Sequence, residues 1–578
     1  MLGISSRSEC NGHPLSDLII PWFSVRIRVF PFQSQKGSVD SAGRLDETAA
    51  ILNDVAMNSG SSQNSGNAFY VTTPIYYPNA EPHIGHCYTT IAADTIARYH
   101  RLTGDDTFFL TGTDEHGLKM VKTAADQLTE PAVLADRVVA EFQKVWAELD
   151  ITHDDFIRTT QPRHKLAVQE IVRRLQANED IYLGAYEGWY DEGQEEFVTE
   201  TEAKDRDFKS AVSGRPLVRY KEPTYFFKLG KYVPQIQEYI EAHPEFIQPE
   251  SRRNEVLSKL KMGVVDLSIS RSTLRWGIEM PGDPAHVLYV WIDALSNYIT
   301  ALGYASAEDA RFKKYWPVDL HLIGKEILWF HAVYWPAMLF SLGLPLPKKL
   351  FAHGWWTSDG RKMSKSMGNF VGMDKIRALG ATHGYDAVRY YLLRAAPFGT
   401  DLDWTDEGFN KAFDELVNVL GNLLNRVLNM VNKYRGGIIP NPGTTREKID
   451  LDLEAAINDL APKLQRAYDQ CELQQCAMLP VELARQANGY VEVTRPFSLA
   501  KDPAQAERLD TVLYCLAQAS YHALVGLLPL LPAKATAGLE QLGVNLTGRS
   551  IQELFNHPLA VGAKVGIGQP LFPRVETK

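Results

Sequence analysis

Phe69-Tyr70-Val71-Thr72-Thr73-Pro74-Ile75-Tyr76-Tyr77-Pro78-Asn79-Ala80-Glu81-Pro82-His83-Ile84-Gly85-His86 is the stretch from which the rest of the chain is read. Phe69 to Thr72 is a short apolar run of strand-forming residues, and the Pro- and Asn-rich segment after it is a turn. A helix opens near His83, with Ile84, Tyr88, Ile91, Ile96 and Tyr99 at roughly helical spacing. Thr107 to Thr111 reads as a second strand, ending at Gly112 and a new helix. Strand alternating with helix implies a parallel sheet covered on both faces. Leu320 to Ile323, followed by a helix from Lys325 to Leu339, repeats the unit far down the chain. Lys349 to Trp356 reads as a further strand leading into a Gly/Ser/Lys loop.

Working outward, the segment from Tyr182 to about Glu245 is rich in charges, Gly and aromatics and reads as an insertion into the sheet domain. Beyond Trp404, Phe413, Leu416, Leu420, Leu423, Leu424, Val427, Met430 and Val431 mark a long amphipathic helix, and further helical patterns follow. The C-terminal third is all-α. At 578 residues the chain has room for roughly three to four domain-sized units. With 60 Lys+Arg against 70 Asp+Glu, any nucleic-acid contact must come from a local basic face. Five cysteines make no disulfide framework. Cys471 and Cys476 read as core thiols.

No stretch reaches the ~18 apolar residues of a membrane span. Residues 1–66 carry five basic residues against six acidic ones, unlike an Arg-rich, acid-poor transit peptide. Residues 1–66 are expected to be a disordered extension, with Met57 as a candidate true start, in a cytoplasmic protein; an organellar protein is the alternative if 1–66 is a transit peptide.

Two short segments carry chemistry. His83 and His86 flank Gly85 at a helix N-terminus, where free N–H groups and the macrodipole favour a phosphate. Gly85 leaves room for close approach, and the imidazoles suit hydrogen bonds to phosphate oxygens as charge builds. Taken alone, the same residues read more readily as a cap of two surface histidines. Gly360-Arg361-Lys362-Met363-Ser364-Lys365-Ser366-Met367-Gly368-Asn369 places two ammonium groups, Lys362 and Lys365, on one loop suited to closing on a polyphosphate. The long spacing between the two segments suggests that both edges of one sheet contribute.

Together these residues resemble the HIGH (His83–His86) and KMSKS (Lys362–Ser366) signatures of class I aminoacyl-tRNA synthetases. The chain lacks room for a large editing insertion and pairs no cysteine with Cys87. The resemblance then narrows to the methionyl-tRNA synthetase family and covers nearly everything from Phe69 onward. It includes Tyr76-Tyr77-Pro78-Asn79, Gly112-Thr113-Asp114-Glu115-His116-Gly117, Trp291-Ile292-Asp293-Ala294, Gly324-Lys325-Glu326 and Gln569-Pro570-Leu571-Phe572-Pro573-Arg574. The resemblance implies α/β architecture. A Rossmann-type parallel-sheet catalytic domain (67–181 and 246–348) would carry an inserted connective or knuckle domain (182–245). A KMSKS loop and stem-contact region (349–404) and an all-α anticodon-binding helix bundle (405–578) would follow. It implies activation of L-methionine by ATP, as the Mg-ATP complex, and transfer to tRNA(Met), with His83, His86, Lys362 and Lys365 as the catalytic set. ATP would be met by His83, Gly85, His86, Arg271, Glu279, Lys362, Ser364 and Lys365. The methionine pocket would be Ile75, Tyr77, Asp114, Trp291, Ala294, Tyr298, Phe330, His331 and Trp335. Aromatic walls suit a polarizable thioether, and Asp114 would hold the ammonium. Leu295 stands where the family pattern has proline.

Where many relatives carry zinc ligands, this chain has Asp191, Gln194, Ser210 and Ser213, so no structural zinc and no other protein-held metal is expected. Asn418, Asn422 and Arg426 recur at four-residue spacing on one helical stripe and match the family's anticodon signature, with Pro496-Phe497 as the partner where Pro-Trp is usual. Phe497 keeps a stacking face and loses an indole donor. No appended tRNA-binding or dimerisation domain, and hence a monomer, is expected. Two rivals stand beside this reading. A small-molecule nucleotidyltransferase has no use for the Asn/Asn/Arg stripe, and a catalytically dead RNA-binding relative has no use for both lysines.

Overall fold

The computed structural model describes residues 66–192, 196–198, 200–358, 360–363 and 370–574. The expectation for 1–66 lies outside the described residues except at Gly66, as do Gln194, Ser364 and Lys365.

Strand β1 (Ala68–Tyr76) turns into helix α1 (Ile84–Thr103), which returns to β2 (Asp106–Thr113), β3 (Asp155–Arg158) and α2 (Pro162–Ala177). β2 does not stop at Gly112 as its sequence suggests. A Cβ there would lie 2.0 Å from the Ile157 carbonyl oxygen, so this glycine admits close approach of β3 and breaks nothing. The insertion follows as β4 (Ile181–Asp191), β5 (Glu196–Val198) and β6 (Val218–Phe227). β4 and β6 form one antiparallel ladder from Ile181↔Phe227 to Tyr190↔Val218. β7 (Ile247–Gln248) rejoins the main sheet, whereas β8 (Leu267–Ser268) pairs back onto β6. Helix α3 (Val290–Thr300), β9 (Leu320–Gly324) and β10 (Leu350–His353) complete the catalytic half.

The main sheet runs β3-β2-β1-β9-β10-β7, with every pairing parallel. Val71 pairs with Leu320 and Thr72 with His321, so strands remote in sequence meet at the centre. The strand order reverses there, and crevices outside the carboxyl ends of such strands bind ligands. The two signature segments therefore flank central strands, not opposite edges: His83 follows β1, and the Lys362 hairpin lies downstream of β10.

Two helices are less regular than their sequences suggest. After β9 comes a 3₁₀ turn (Lys325–Ile327), then a π segment (Phe330–Tyr334), and only then α4 (Trp335–Ser341). Pro336 has no N–H to give the Ala332 carbonyl, which loosens the register at this point. Lys349 to Trp356 likewise splits into β10 and a separate strand, Trp356–Ser358. Downstream, α5 (Tyr385–Arg394) precedes α6 (Asp406–Glu415), a π segment (Leu416–Gly421) and α7 (Asn422–Arg435) in one run. Helices α8 (Lys448–Asp469), α9 (Leu473–Thr494) and α10 (Ala506–Leu527) pack beside it. The stripe from Phe413 to Val431 is buried apart from half-buried Met430, each full burial contributing about 1.5–3 kcal/mol. Cys471 sits in the turn between α8 and α9 with φ 57° and Cys476 inside α9; both thiols are buried.

The bundle is bolted to α1. Tyr99 stacks on Tyr468 with centroids 3.8 Å apart. Buried Arg389 reaches Asp94 Oδ2 at 2.7 Å and the Leu530 carbonyl at 2.9 Å. Among the described residues no helix is long and apolar enough to cross a membrane.

Candidate active site

The first turn of α1 is shaped by its own histidines. His83 is the N-cap, with extended backbone (φ −142°, ψ 175°), and its Nδ1 accepts from the Gly85 N–H at 3.0 Å. His86 Nδ1 accepts from the His83 N–H at 3.3 Å, closing a capping box of two imidazoles whose rings stack 3.8 Å apart. A nitrogen that accepts carries no proton, so each ring holds its N–H on Nε2. Burial, helped by neighbouring His83 and Lys119, pushes the His86 pKa well below its ordinary value, so this ring is a neutral donor. A Cβ at Gly85 would lie 3.0 Å from the His83 ring that folds over it, so a side chain there would have to push that ring aside by a few tenths of an ångström. Beyond the KMSKS loop the chain returns to this turn. Gly372 bridges to His83, and the Phe370 ring meets the His83 ring edge-on at 5.7 Å. Met363 and Phe370, on either side of residues 364–369, both line the same cleft.

That cleft encloses about 520 Å³ at the strand-order reversal. It brings together Ile75, Tyr77, His83, Gly85, His86, Asp114, Trp291, Ala294, Tyr298 and His331, all foreseen in the sequence. Leu295 lines it too. Phe330 and Trp335 stand one layer back: Phe330 stacks on Trp291 at 3.7 Å, and Trp335 lies 6.0 Å from Tyr298. The π segment places His331 so that Nδ1 meets the Ile327 carbonyl (3.0 Å) and Nε2 meets the Tyr298 hydroxyl (2.7 Å). The carbonyl takes the Nδ1–H, so the tyrosine donates to Nε2. Burial lowers the His331 pKa to about 4 and raises that of Tyr298, leaving both neutral. The Tyr298 and His331 polar hydrogens are thus committed, whereas the buried Trp291 and Trp335 Nε1–H groups meet no protein acceptor among the described residues.

Other expected residues lie elsewhere. Arg271 lines a separate recess of about 80 Å³, stacked on Tyr190 and Tyr289 at 5.5 and 4.5 Å and bonded to Ser268 Oγ at 2.9 Å. Glu279 is exposed, with its carbonyl accepting from Gln169. Neither borders the cleft. Lys362 lies in a short strand pairing with Thr357. In the knuckle, Ser210 Oγ accepts from the Val212 and Ser213 N–H groups at 3.3 and 3.1 Å, and a small core of Val198, Ala203 and Leu217 supports the turn. Among the described residues no group of three or more His, Cys, Asp or Glu is placed to hold a metal ion. A serine hydroxyl and buried Asp191 are poor partners for four-coordinate structural zinc.

On the helical bundle, Asn418 and Asn422 are exposed. Asn418 Oδ1 accepts from Arg574 at 3.0 Å, and Arg426 pairs with Glu492 on α9 at 3.2 Å. Five residues beyond Glu492, Phe497 is 48% exposed, whereas Pro496 is buried. Asn488 on α9 donates to the Val419 carbonyl inside the π segment, pinning the stripe to its partner helix.

Sequence reading passes over Lys119. It lines the cleft with its Nζ 4.7 Å from the Tyr77 ring centroid, and it is the only Lys or Arg among the described lining residues. Its place three residues beyond His116 was the available signal. A parallel sheet whose central crevice carries this histidine turn and the two flanks of a lysine loop has the arrangement that the resemblance to class I aminoacyl-tRNA synthetases implies for their catalytic half.

A family model described as tRNA synthetases class I (M) matches residues 69–206 and 204–428. The methionine–tRNA ligase of Caldanaerobacter subterraneus subsp. tengcongensis is 46% identical over 511 residues, covering 88% of this chain and 79% of that one. That of Bacillus subtilis is 45% identical over 527 residues, covering 89% and 78%. The solved Mycobacterium tuberculosis methionyl-tRNA synthetase in complex with methionyl-adenylate superposes with a TM-score of 0.84 at 41% identity, covering 88% of this chain and 100% of that one. This chain belongs to the methionyl-tRNA synthetase family.

Proposed function

We propose that the chain activates L-methionine with ATP and transfers the methionyl group to the terminal ribose of tRNA(Met), releasing pyrophosphate and AMP. The observation that carries this is one cleft holding both halves of the first reaction: two Nε2–H donors at a helix N-terminus and, beside them, an aromatic wall with Asp114. A methionine carboxylate oxygen attacks the α-phosphorus, and the bond to the bridging oxygen breaks as pyrophosphate leaves. His83 and His86 donate to the phosphate oxygens, and Lys362 and Lys365 draw off the leaving charge. The ribose hydroxyl then attacks the methionyl carbonyl and AMP departs. Trp291, Ala294, Tyr298 and His331 select the thioether, while Asp114 holds the ammonium.

Asn418, Asn422, Arg426 and Phe497 read the anticodon. Mg²⁺ arrives as part of the ATP substrate. The knuckle works without zinc, the chain acts as a monomer, and its place is the cytoplasm. Amino-acid-dependent ATP–pyrophosphate exchange tests the core of this: methionine alone among the amino acids should support exchange. Exchange with another amino acid, or with none, would refute it.

A further inference from the structure

The buried face of α3 carries an aspartate hydrogen-bonded to two histidines that the two-step reaction does not use directly. Asp293 is 1% exposed, and each carboxylate oxygen has its own imidazole: Oδ2 meets His116 Nδ1 at 2.6 Å, and Oδ1 meets His164 Nε2 at 2.7 Å. His164, on α2, turns its other nitrogen to Thr300 Oγ1 at 2.7 Å, back on α3. Burial alone would raise the Asp293 pKa, but the two histidines outweigh it and hold the carboxyl at about 2. His116 lies two residues beyond Asp114 in the loop that leaves β2, and Asp293 lies between Trp291 and Ala294 on α3. The Asp293–His116 bond is thus a direct tie between the loop bearing the cleft carboxylate and the helix bearing the cleft wall. The loop is braced on its far side as well: buried Glu115 takes two bonds from Arg158, and its carbonyl accepts from Trp276 Nε1 at 2.6 Å.

We propose that Asp293 is a positioning residue: through His116 it sets the Asp114 carboxylate at a fixed distance from the aromatic wall, so that the α-ammonium and the side chain of the amino acid are gripped in one frame. This rests on Asp114 as the ammonium partner. A buried charged bond of this kind holds geometry that flexible contacts do not, and an ångström of misplacement carries a large binding and rate penalty.

The test measures binding of L-methionine, of ATP and of 4-(methylthio)butanoate, which keeps the thioether and carboxylate but lacks the ammonium. Asp114→Asn should weaken methionine and spare the deaminated analogue. Asp293→Asn, close to isosteric, should weaken methionine by about 10-fold to 100-fold while the analogue and ATP change by less than about 2-fold. In the double variant the second substitution should add little, since a misplaced carboxylate and an absent one fail at the same contact. His116→Asn approaches from the loop side, leaves the Asp293–His164 pair intact, and should reproduce the pattern even if the Asp293 variant folds poorly. Three outcomes overturn the proposal alone: methionine binding unchanged in both the Asp293 and His116 variants, equal losses for methionine and the analogue, or full additivity with Asp114→Asn. Normal methionine binding by Asp114→Asn would instead remove the ammonium assignment and the proposal with it.

Discussion

The catalytic cleft and the stripe on the helical bundle are built on opposite principles. In the cleft the chemistry-bearing groups are locked. His83 and His86 are fixed by backbone donors, His331 has both ring nitrogens committed, and the Asp114 loop is braced on two sides. On the stripe, Asn422 is exposed, and Arg426 and Asn418 rest on a surface glutamate and a surface arginine. An exposed ion pair contributes only about 0–1 kcal/mol, so Arg426 can leave Glu492 for a nucleobase at little cost. Stabilising developing charge on phosphate calls for dipoles already in place. Reading splayed bases calls for side chains free to change partners. Both regions also carry a π segment, one through His331 and one through Asn418, where loosened backbone re-aims side chains.

If the regions are separable, substitutions in each should damage different steps. The largest effect is expected from Lys365→Ala, which removes a charge from the loop whose two flanks line the cleft. Single-turnover adenylate formation should slow by about 10² or more while methionine affinity changes little. An undiminished adenylate burst would place the loop outside the first step.

Arg426→Ala and Phe497→Ala should reduce tRNA charging by about 10-fold to 100-fold, the worth of a lost stack or planar donor. Pyrophosphate exchange without tRNA should stay near the parent rate in both. A parallel fall of charging and exchange would mean that the stripe is structural and the contrast between the regions is wrong.

Acidification sharpens the same contrast from the cleft side. His331 titrates at about 4 in the folded chain against about 6.5 unfolded. Below that upper value the unfolded chain takes up a proton the folded one refuses, so this group lowers stability as pH falls between the two and contributes no pH dependence above them. Methionine affinity should change by less than about 2-fold from about pH 8 to about pH 5. Urea midpoints should decline over the acidic window, less steeply in His331→Gln. An affinity that collapses near neutral pH would show that the ring is not held neutral. The smallest effect is expected from chelation: dialysis against a chelator, then Mg²⁺ repletion, should leave exchange and charging unchanged, with substoichiometric zinc in the protein. One tightly held zinc per chain would refute a metal-free knuckle.

Much of this was legible along the chain. The strand, turn and histidine helix from Phe69 to Tyr99, the parallel-sheet class and the helical end follow from local periodicity, because burial of one face imposes a repeat that neighbouring residues must obey. The lining residues from Ile75 to His331 were legible only through whole motifs matching a family; singly, each aromatic reads as core. Lys119 and Asp293 escaped, since what matters about them is which side chains remote in sequence they meet, the Tyr77 ring for one and His116 and His164 for the other.

By itself, then, the sequence determined which stretches are strands and helices and which residue types gather near the phosphate turn, because these depend on contacts a few residues apart. Only the tertiary structure decided that β1 lies beside β9, that Pro336 loosens the helix carrying His331, that Arg271 and Glu279 border other surfaces, and that Asp293 holds His116. Those outcomes depend on pairings between residues far apart in sequence, and local periodicity carries no record of which distant strand or side chain completes them.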